Sequence, residues 1–116
     1  MNILIVDDNT RIRGTIKNII SQPGIKCYEC SDGAEALECY RNVKPEWTLM
    51  DIVMPGMDGL KAMENIISEF PGASIIVVTN YDDTQYRTRA AQLGAKGYVL
   101  KENLIELRKI LQCKNN

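Results

Sequence analysis

Thr48-Leu49-Met50-Asp51-Ile52-Val53-Met54-Pro55-Gly56-Met57-Asp58-Gly59 sets a lone carboxylate at the end of an apolar run and follows it with a Pro-Gly turn. The run itself, Trp47 to Met50, has strand length, and four others accompany it: Ile3 to Val6, Ile25 to Cys30, Ser74 to Val78 and Gly97 to Leu100. Longer amphipathic segments separate them. Short apolar runs alternating with helical periods predict an α/β protein, a parallel sheet with helices on both faces. Ile12, Ile16, Ile19 and Ile20 form one helical stripe, and Leu60, Met63, Ile66, Ile67 and Phe70 form another, both at core-facing spacing.

Start and stop signals agree with this order. Asp32-x-x-Glu35 and Asn103-x-x-Glu106 have the spacing of capping boxes, and Asp58 is placed to cap a helix over 59–69. Pro23-Gly24, Pro71-Gly72 and Gly94 each fall between a helix and the next strand. Residues 82–93 make the weakest helix, with only Ala90, Ala91 and Leu93 as an apolar stripe, which reads as a shallow, loosely packed element. No repeat or linker interrupts the pattern, so residues 1–116 read as one (βα)5 domain with a doubly wound, five-stranded parallel sheet.

Bulk composition narrows the functions. A chain of 116 residues with 45% hydrophobic and 25% charged side chains has the make-up of an ordinary globular domain. Fourteen basic residues against fifteen acidic ones give a net charge of -1, so no global field draws it to nucleic acid or to an anionic membrane. No apolar run approaches the ~20 residues that span a bilayer, and the Met1-Asn2-Ile3 start lacks the basic residues of a signal peptide, which predicts a cytoplasmic location. The absence of histidine excludes imidazole bases and ligands. Cys27-x-x-Cys30 hints at a metal or disulfide, but an odd spacing on a strand points the two thiols to opposite faces. With Cys39 and Cys113 unpaired in spacing, the cysteines read as free thiols in a reducing compartment.

Polar residues gather at the strand ends. Val6 runs into Asp7-Asp8, Met50 into Asp51, Val78 into Thr79 and Leu100 into Lys101. In a parallel sheet these ends share one edge, where open α/β sheets hold ligands. Clustered carboxylates resist ionisation unless a cation neutralises them, and Mg²⁺, a hard ion with oxygen ligands, fits. Asp51 can then serve as a nucleophile toward phosphorus, with Lys101 and Thr79 stabilising charge on the transferred group. Any one of Asp7, Asp8 and Asp51 could be a turn former or cap. Caps do not account for a lysine and a threonine at two further strand ends.

With these positions in place, the chain resembles a response-regulator receiver domain over essentially its whole length. "LIVDD", "LMDIVMPGMDG", "VVTN" and "GAKGYVLKE" occur in that family's order and spacing. The resemblance implies a flavodoxin-like, chemotaxis-regulator-like fold with strand order 2-1-3-4-5. It makes Asp51 the phosphoacceptor of a two-component system, taking its phosphoryl group from a histidine kinase or phosphotransfer protein. Asp8, Asp51 and the Val53 carbonyl would be direct Mg²⁺ ligands and Asp7 would act through a metal-bound water. Lys101 would pair with the acyl phosphate, Thr79 would hydrogen-bond it, and Tyr98 would be the aromatic switch that turns inward. The switched surface would comprise helix 82–93, strand 97–100 and helix 103–113, acting on a target protein or output domain. A phosphorylation-dependent homodimer is compatible with that scheme. The domain itself would bind neither nucleic acid nor membrane, and would catalyse only its own phosphorylation and dephosphorylation.

Two departures from the family pattern carry expectations. Glu102 stands where proline often follows the lysine, so the bond after Lys101 is expected to be trans, in a form resembling receivers of helix-turn-helix transcription factors. Asn80-Tyr81 and Val53 make a bulky, apolar rim, which is expected to hinder water and prolong the phosphorylated state. A non-phosphorylated interaction module is the alternative, opposed by the intact acids, threonine and lysine. A Mg²⁺-dependent phosphatase is disfavoured because no second acid or histidine is evident as a general base. The short polar tail Lys114-Asn115-Asn116 leaves no room for an effector within these residues, and a stand-alone receiver and a fragment of a longer transcription factor both stay open.

Overall fold

The structure, a computed structural model, describes residues 1–54, 56 and 58–114, with only the backbone course for 112–114. Five strands, β1 (Asn2–Val6), β2 (Lys26–Cys30), β3 (Trp47–Met50), β4 (Ile75–Thr79) and β5 (Gly97–Leu100), form one parallel sheet in the order β2-β1-β3-β4-β5. Helices α1 (Thr10–Ile20), α2 (Ala36–Val43), α3 (Gly59–Glu69), α4 (Thr84–Leu93) and α5 (Glu106–Lys114) alternate with them. This is the doubly wound, flavodoxin-like arrangement that the periodicity and the resemblance implied.

Strand alternation divides the core into two layers. Ile3, Ile5, Leu49, Ile76, Val78 and Val99 pack with Ile16 and Ile20 of α1 and Leu107 and Leu111 of α5. Leu4, Val6, Met50, Ile75 and Val77 pack on the other face with Tyr40 of α2, Met63 and Ile66 of α3 and Ala90 of α4. β1, β3 and β4 lie inside the sheet with helices above and below, which is why they read as nearly unbroken apolar runs. Burial of these chains, at about 1.5–3 kcal/mol each relative to exposure, is the main term favouring the fold.

The expected segments hold with small shifts. β3 and β5 coincide with their runs, whereas β4 continues through Thr79, which pairs with Leu100. Asp58 caps α3 as its spacing suggests, accepting from the Leu60 amide at 2.9 Å. The two proposed capping boxes do not form as such. Asp32 accepts from the Ala34 amide at 2.8 Å and opens a single 3₁₀ turn, Gly33–Glu35, that leads into α2. Asn103 lies inside a second 3₁₀ turn, Lys101–Asn103, and α5 starts only at Glu106. The chain tightens there as soon as β5 has delivered Lys101, so no extended residue is left to act as a cap. Asn9 and Asp83 cap α1 and α4 instead.

Helix ends follow backbone chemistry. Gly94, at φ 107°, ends α4 in the left-handed conformation, and the amides of Gly94 and Ala95 close onto Ala91 and Ala90 at 3.0 and 2.9 Å. α4 is shallow, as its sequence indicates: Ala90 is buried and Leu93 half-buried, but Ala91 faces solvent. Cys27 and Cys30 do lie on opposite sheet faces, and the described cysteines are free thiols. The Cys113 side chain, Pro55 and Met57 lie outside the described residues. Among the described residues every peptide bond is trans, including that after Lys101, and no helix is long and apolar enough to cross a membrane.

Candidate functional site

The carboxyl edge of the sheet gathers what the strand ends promised. β1 and β3 are neighbours, with Val6 opposite Met50, so Asp7 and Asp51 leave adjacent strands side by side. The Asp7 amide donates to the Cys30 carbonyl at 3.0 Å and the Asp51 amide to the Val6 carbonyl at 2.9 Å, which extends the sheet's pairing by one residue into the site. Both acids are buried, at 1% and 4% exposure, whereas Asp8 is exposed. One oxygen from each of Asp7, Asp8 and Asp51 lies within 4.8 Å of the others.

Lys101 closes the cluster from β5. Its Nζ stands 2.8 Å from Asp7 Oδ2 and 2.9 Å from Asp51 Oδ2, across 50 residues of chain in the second case. Asp51 Oδ1 accepts from the Val53 amide at 3.0 Å, and Asp7 Oδ1 from the Asn9 amide at 2.8 Å. Burial raises the pKa of Asp51, and the neighbouring Asp7 adds to this, while the Val53 amide and the Lys101 ammonium pull the other way without reversing it. For Lys101, burial pulls the pKa down but the Asp7 and Asp51 carboxylates outweigh it, so the ammonium is held more firmly than usual.

The donor set fits a hard cation. Asp7 Oδ2 is buried, with the Lys101 ammonium 2.8 Å away. Three carboxylates against one ammonium leave a negative surplus, and oxygen ligands of this kind suit Mg²⁺ rather than a thiophilic metal.

Thr79 and Tyr98 occupy the next layer. Thr79 is fully buried at the end of β4, and its Oγ1 accepts from the Tyr81 amide at 3.4 Å. Tyr98, half-buried on β5, donates its hydroxyl to the Tyr81 carbonyl at 2.6 Å, and the Arg87 guanidinium lies 4.5 Å from its ring centre. The rim residues Val53 and Tyr81 are exposed at 39% and 50%, and Tyr81 meets Tyr86 edge-on at 6.2 Å.

Structure adds residues that strand-end reasoning missed. A Cβ on Gly59 would stand 2.3 Å from the Asp51 carbonyl oxygen and from the Ile52 Cα, and its amide donates to the Ile52 carbonyl at 3.2 Å. Only glycine lets α3 start so close to the backbone of Asp51 and Ile52. Asn9 and Arg13, at the start of α1, hold Asp7 in place, and Arg87 holds Tyr98. The Asp58-Gly59 pair was visible as a cap followed by glycine; the Arg13 and Arg87 contacts had no local signal.

A doubly wound α/β sheet with buried acids and a lysine converging at its carboxyl edge defines a protein of the flavodoxin-like class with a cation-ready anionic pocket. The family model for the response regulator receiver domain matches residues 3–112, and the chain belongs to that family, a component of two-component signalling. It is 38% identical over 116 residues to the Bacillus subtilis transcriptional regulatory protein YhcZ, covering 95% of this chain and 54% of that protein. It is 37% identical over 100 residues to the chemotaxis protein CheY of Thermotoga maritima, covering 85% and 83%. Among solved structures, a CheX–CheY–BeF3–Mg²⁺ complex from Borrelia burgdorferi superposes with a TM-score of 0.91 at 25% identity, covering 100% of this chain and 90% of that one. The chain spans about half the length of the transcriptional regulators it matches, 54% of YhcZ and 44% of DegU from Brevibacillus brevis.

Proposed function

We propose that this chain is a phosphoacceptor switch in which Asp51 takes a phosphoryl group from a phosphohistidine, on a histidine kinase or a phosphotransfer protein. The observation that carries this reading is the bridge of Lys101 between two buried carboxylates, 2.8 and 2.9 Å from Asp7 and Asp51, beside the exposed Asp8. A structural ion pair needs one acid; the surplus of negative charge is explained by a cation.

Asp8, Asp51 and the Val53 carbonyl would hold Mg²⁺, with Asp7 reaching it through water. Bound there, the ion supplies neutralising charge and a template for the oxygens of the entering group. An Asp51 carboxylate oxygen forms the new O–P bond as the P–N bond to the donor imidazolium breaks, and the imidazole leaves neutral, keeping the proton on its other ring nitrogen. The raised pKa of Asp51 reflects a poorly hydrated carboxylate, and Lys101 keeps it oriented. The ammonium then turns to the phosphoryl oxygens, where about 1.5–2 negative charges have been added.

Thr79 and Tyr98 are read as the relay. Thr79 Oγ1 gives up the Tyr81 amide to meet the phosphoryl group, which displaces the Tyr81 carbonyl that holds the Tyr98 hydroxyl. A shift of a few kcal/mol between packings is enough to change the population of the α4, β5 and α5 surface. The output is a target protein or an attached domain, with the transcriptional regulators among the relatives favouring the latter. The switch works by its own modification and turns over no separate substrate.

Incubation with Mg²⁺ and acetyl phosphate, read by intact-protein mass spectrometry, tests the proposal. One added phosphoryl group, lost in Asp51→Asn, is the expected result. No adduct would favour a constitutive interaction module, and steady release of phosphate from diverse esters would favour a phosphatase.

A further inference from the structure

Arg13 carries a contact set that the phosphoacceptor reading does not use. Its side chain is largely buried, at 11% exposure, on the first turns of α1. One Nη donates to the Asp7 carbonyl, the other to Thr10 Oγ1 at 3.2 Å, and Nε donates to Glu29 Oε1 at 2.8 Å. Glu29 is itself held by Lys17 at 3.2 Å, and stands on β2 next to Cys30, whose carbonyl receives the Asp7 amide. Three elements, β1, β2 and α1, thus meet on one guanidinium.

The Asp7 carbonyl belongs to the planar peptide unit that joins Asp7 to Asp8. Holding that oxygen fixes the plane from which the exposed Asp8 departs, while the Cys30 carbonyl and the Asn9 amide fix Asp7 on its other sides. We infer that Arg13 is a positioning residue for cation capture, setting the direction of Asp8 relative to Asp7 and Asp51 through the Asp7–Asp8 peptide, with Glu29 as its anchor. The inference rests on the reading of the acidic cluster as a Mg²⁺ site. The planar fork suits the role because it reaches a carbonyl, a hydroxyl and a carboxylate at once, which a lysine ammonium on a flexible stem cannot reproduce. The ion pair with Glu29, which Lys17 shares, offsets part of the Arg13 charge.

The test compares wild type, Arg13→Gln, Arg13→Lys and Glu29→Gln by two readouts. The first is amide hydrogen exchange at Asp7 and Asn9 in metal-free protein, and the second is Mg²⁺ affinity by titration calorimetry. Loss of partners that orient metal ligands typically costs about 10–100-fold in affinity, and Arg13→Gln is expected in the lower part of that range, with faster exchange at both amides. Arg13→Lys should fall between it and wild type, and Glu29→Gln should shift the same readouts by a smaller factor. Should Arg13→Gln fail to fold, Arg13→Lys and Glu29→Gln carry the same comparison. Wild-type Mg²⁺ affinity and exchange in the folded variants would overturn the positioning role. A wild-type protein that takes up no Mg²⁺ would instead overturn the metal-site reading, and unchanged exchange at Asp7 and Asn9 would then overturn the clamp separately.

Discussion

The acid-bearing strand ends and helix α4, which packs on one face of the sheet, are held in opposite ways. Asp7 and Asp51 are buried, and their amides and carboxylates are engaged by Cys30, Asn9, Val6, Val53 and Lys101. α4 buries Ala90 and tucks in Leu93, and its other side-chain contacts are at the surface, among them the ion pairs Arg87–Asp82 at 2.9 Å and Arg89–Glu64 at 3.6 Å. Exposed pairs of this kind contribute about 0–1 kcal/mol each. The molecule thus sets a region of buried, fully engaged groups against a helix with few buried contacts. Tyr98 joins them, with its hydroxyl on the Tyr81 carbonyl and its ring beside Arg87.

The sharpest way to break this contrast is to remove the cation of the tight region. Lys101→Ala leaves two buried carboxylates facing each other, and breaking a buried pair typically costs about 3–5 kcal/mol. Denaturant unfolding of the metal-free protein should show a loss of that order, and added Mg²⁺ should recover part of it. Gly59→Ala attacks the same region through sterics. A Cβ placed 2.3 Å from the Asp51 backbone forces the loop and α3 apart, at an expected cost of about 1–3 kcal/mol or more, with phosphoryl uptake falling alongside stability.

Acid titration sharpens the electrostatic side. Because the pKa of Asp51 is raised by folding, the folded chain binds its proton more tightly than the unfolded one. Its contribution to stability is therefore most favourable below the ordinary value of 3.8 and is lost as pH rises through the higher folded value. The Lys101 pKa is also raised, so its contribution is lost in the same direction, but only as pH rises above 10.5, and it is constant across this window. Metal-free wild type should thus lose stability relative to Asp51→Asn as pH is raised from 4 toward neutrality. An unchanged difference between the two curves would contradict the shift.

The loose region should respond more gently. Arg87→Ala removes one exposed ion pair and the cation–π contact over Tyr98, for a change of about 1 kcal/mol or less in stability. Its larger effect should be on the position of Tyr98, seen as altered ring resonances in the unphosphorylated protein. At the rim, Tyr81→Ala opens the approach to Asp51, and the phosphorylated form should decay faster than in wild type; equal or slower decay would remove the proposed shield.

Much of this was legible before any coordinates. Five apolar runs, the cap at Asp58, the break at Gly94 and the weak amphipathicity of α4 are local signals, each decided by residues within a few positions of one another. The misread capping box at Asn103 shows where locality fails. Asn103 has the right neighbours for a cap, but the turn it occupies is set by the strand that carries Lys101 to acids 50 or more residues away. The unanticipated helpers Arg13, Gly59 and Arg87 escape local reading at shorter range. Each acts on a backbone or ring in the element or loop next to its own, 6 to 11 positions along the chain, beyond the reach of turn and helix periods.

Residue order alone determined the layered α/β class, the five strands and the set of polar groups at their ends, because side-chain period and turn chemistry are properties of short segments. Tertiary structure alone decided that Lys101 bridges Asp7 and Asp51, that Asp51 is poorly hydrated, and that Arg13 is anchored on Glu29 of β2. Those are distances and burials across the fold, and Coulomb and desolvation energies depend on them rather than on separation along the chain.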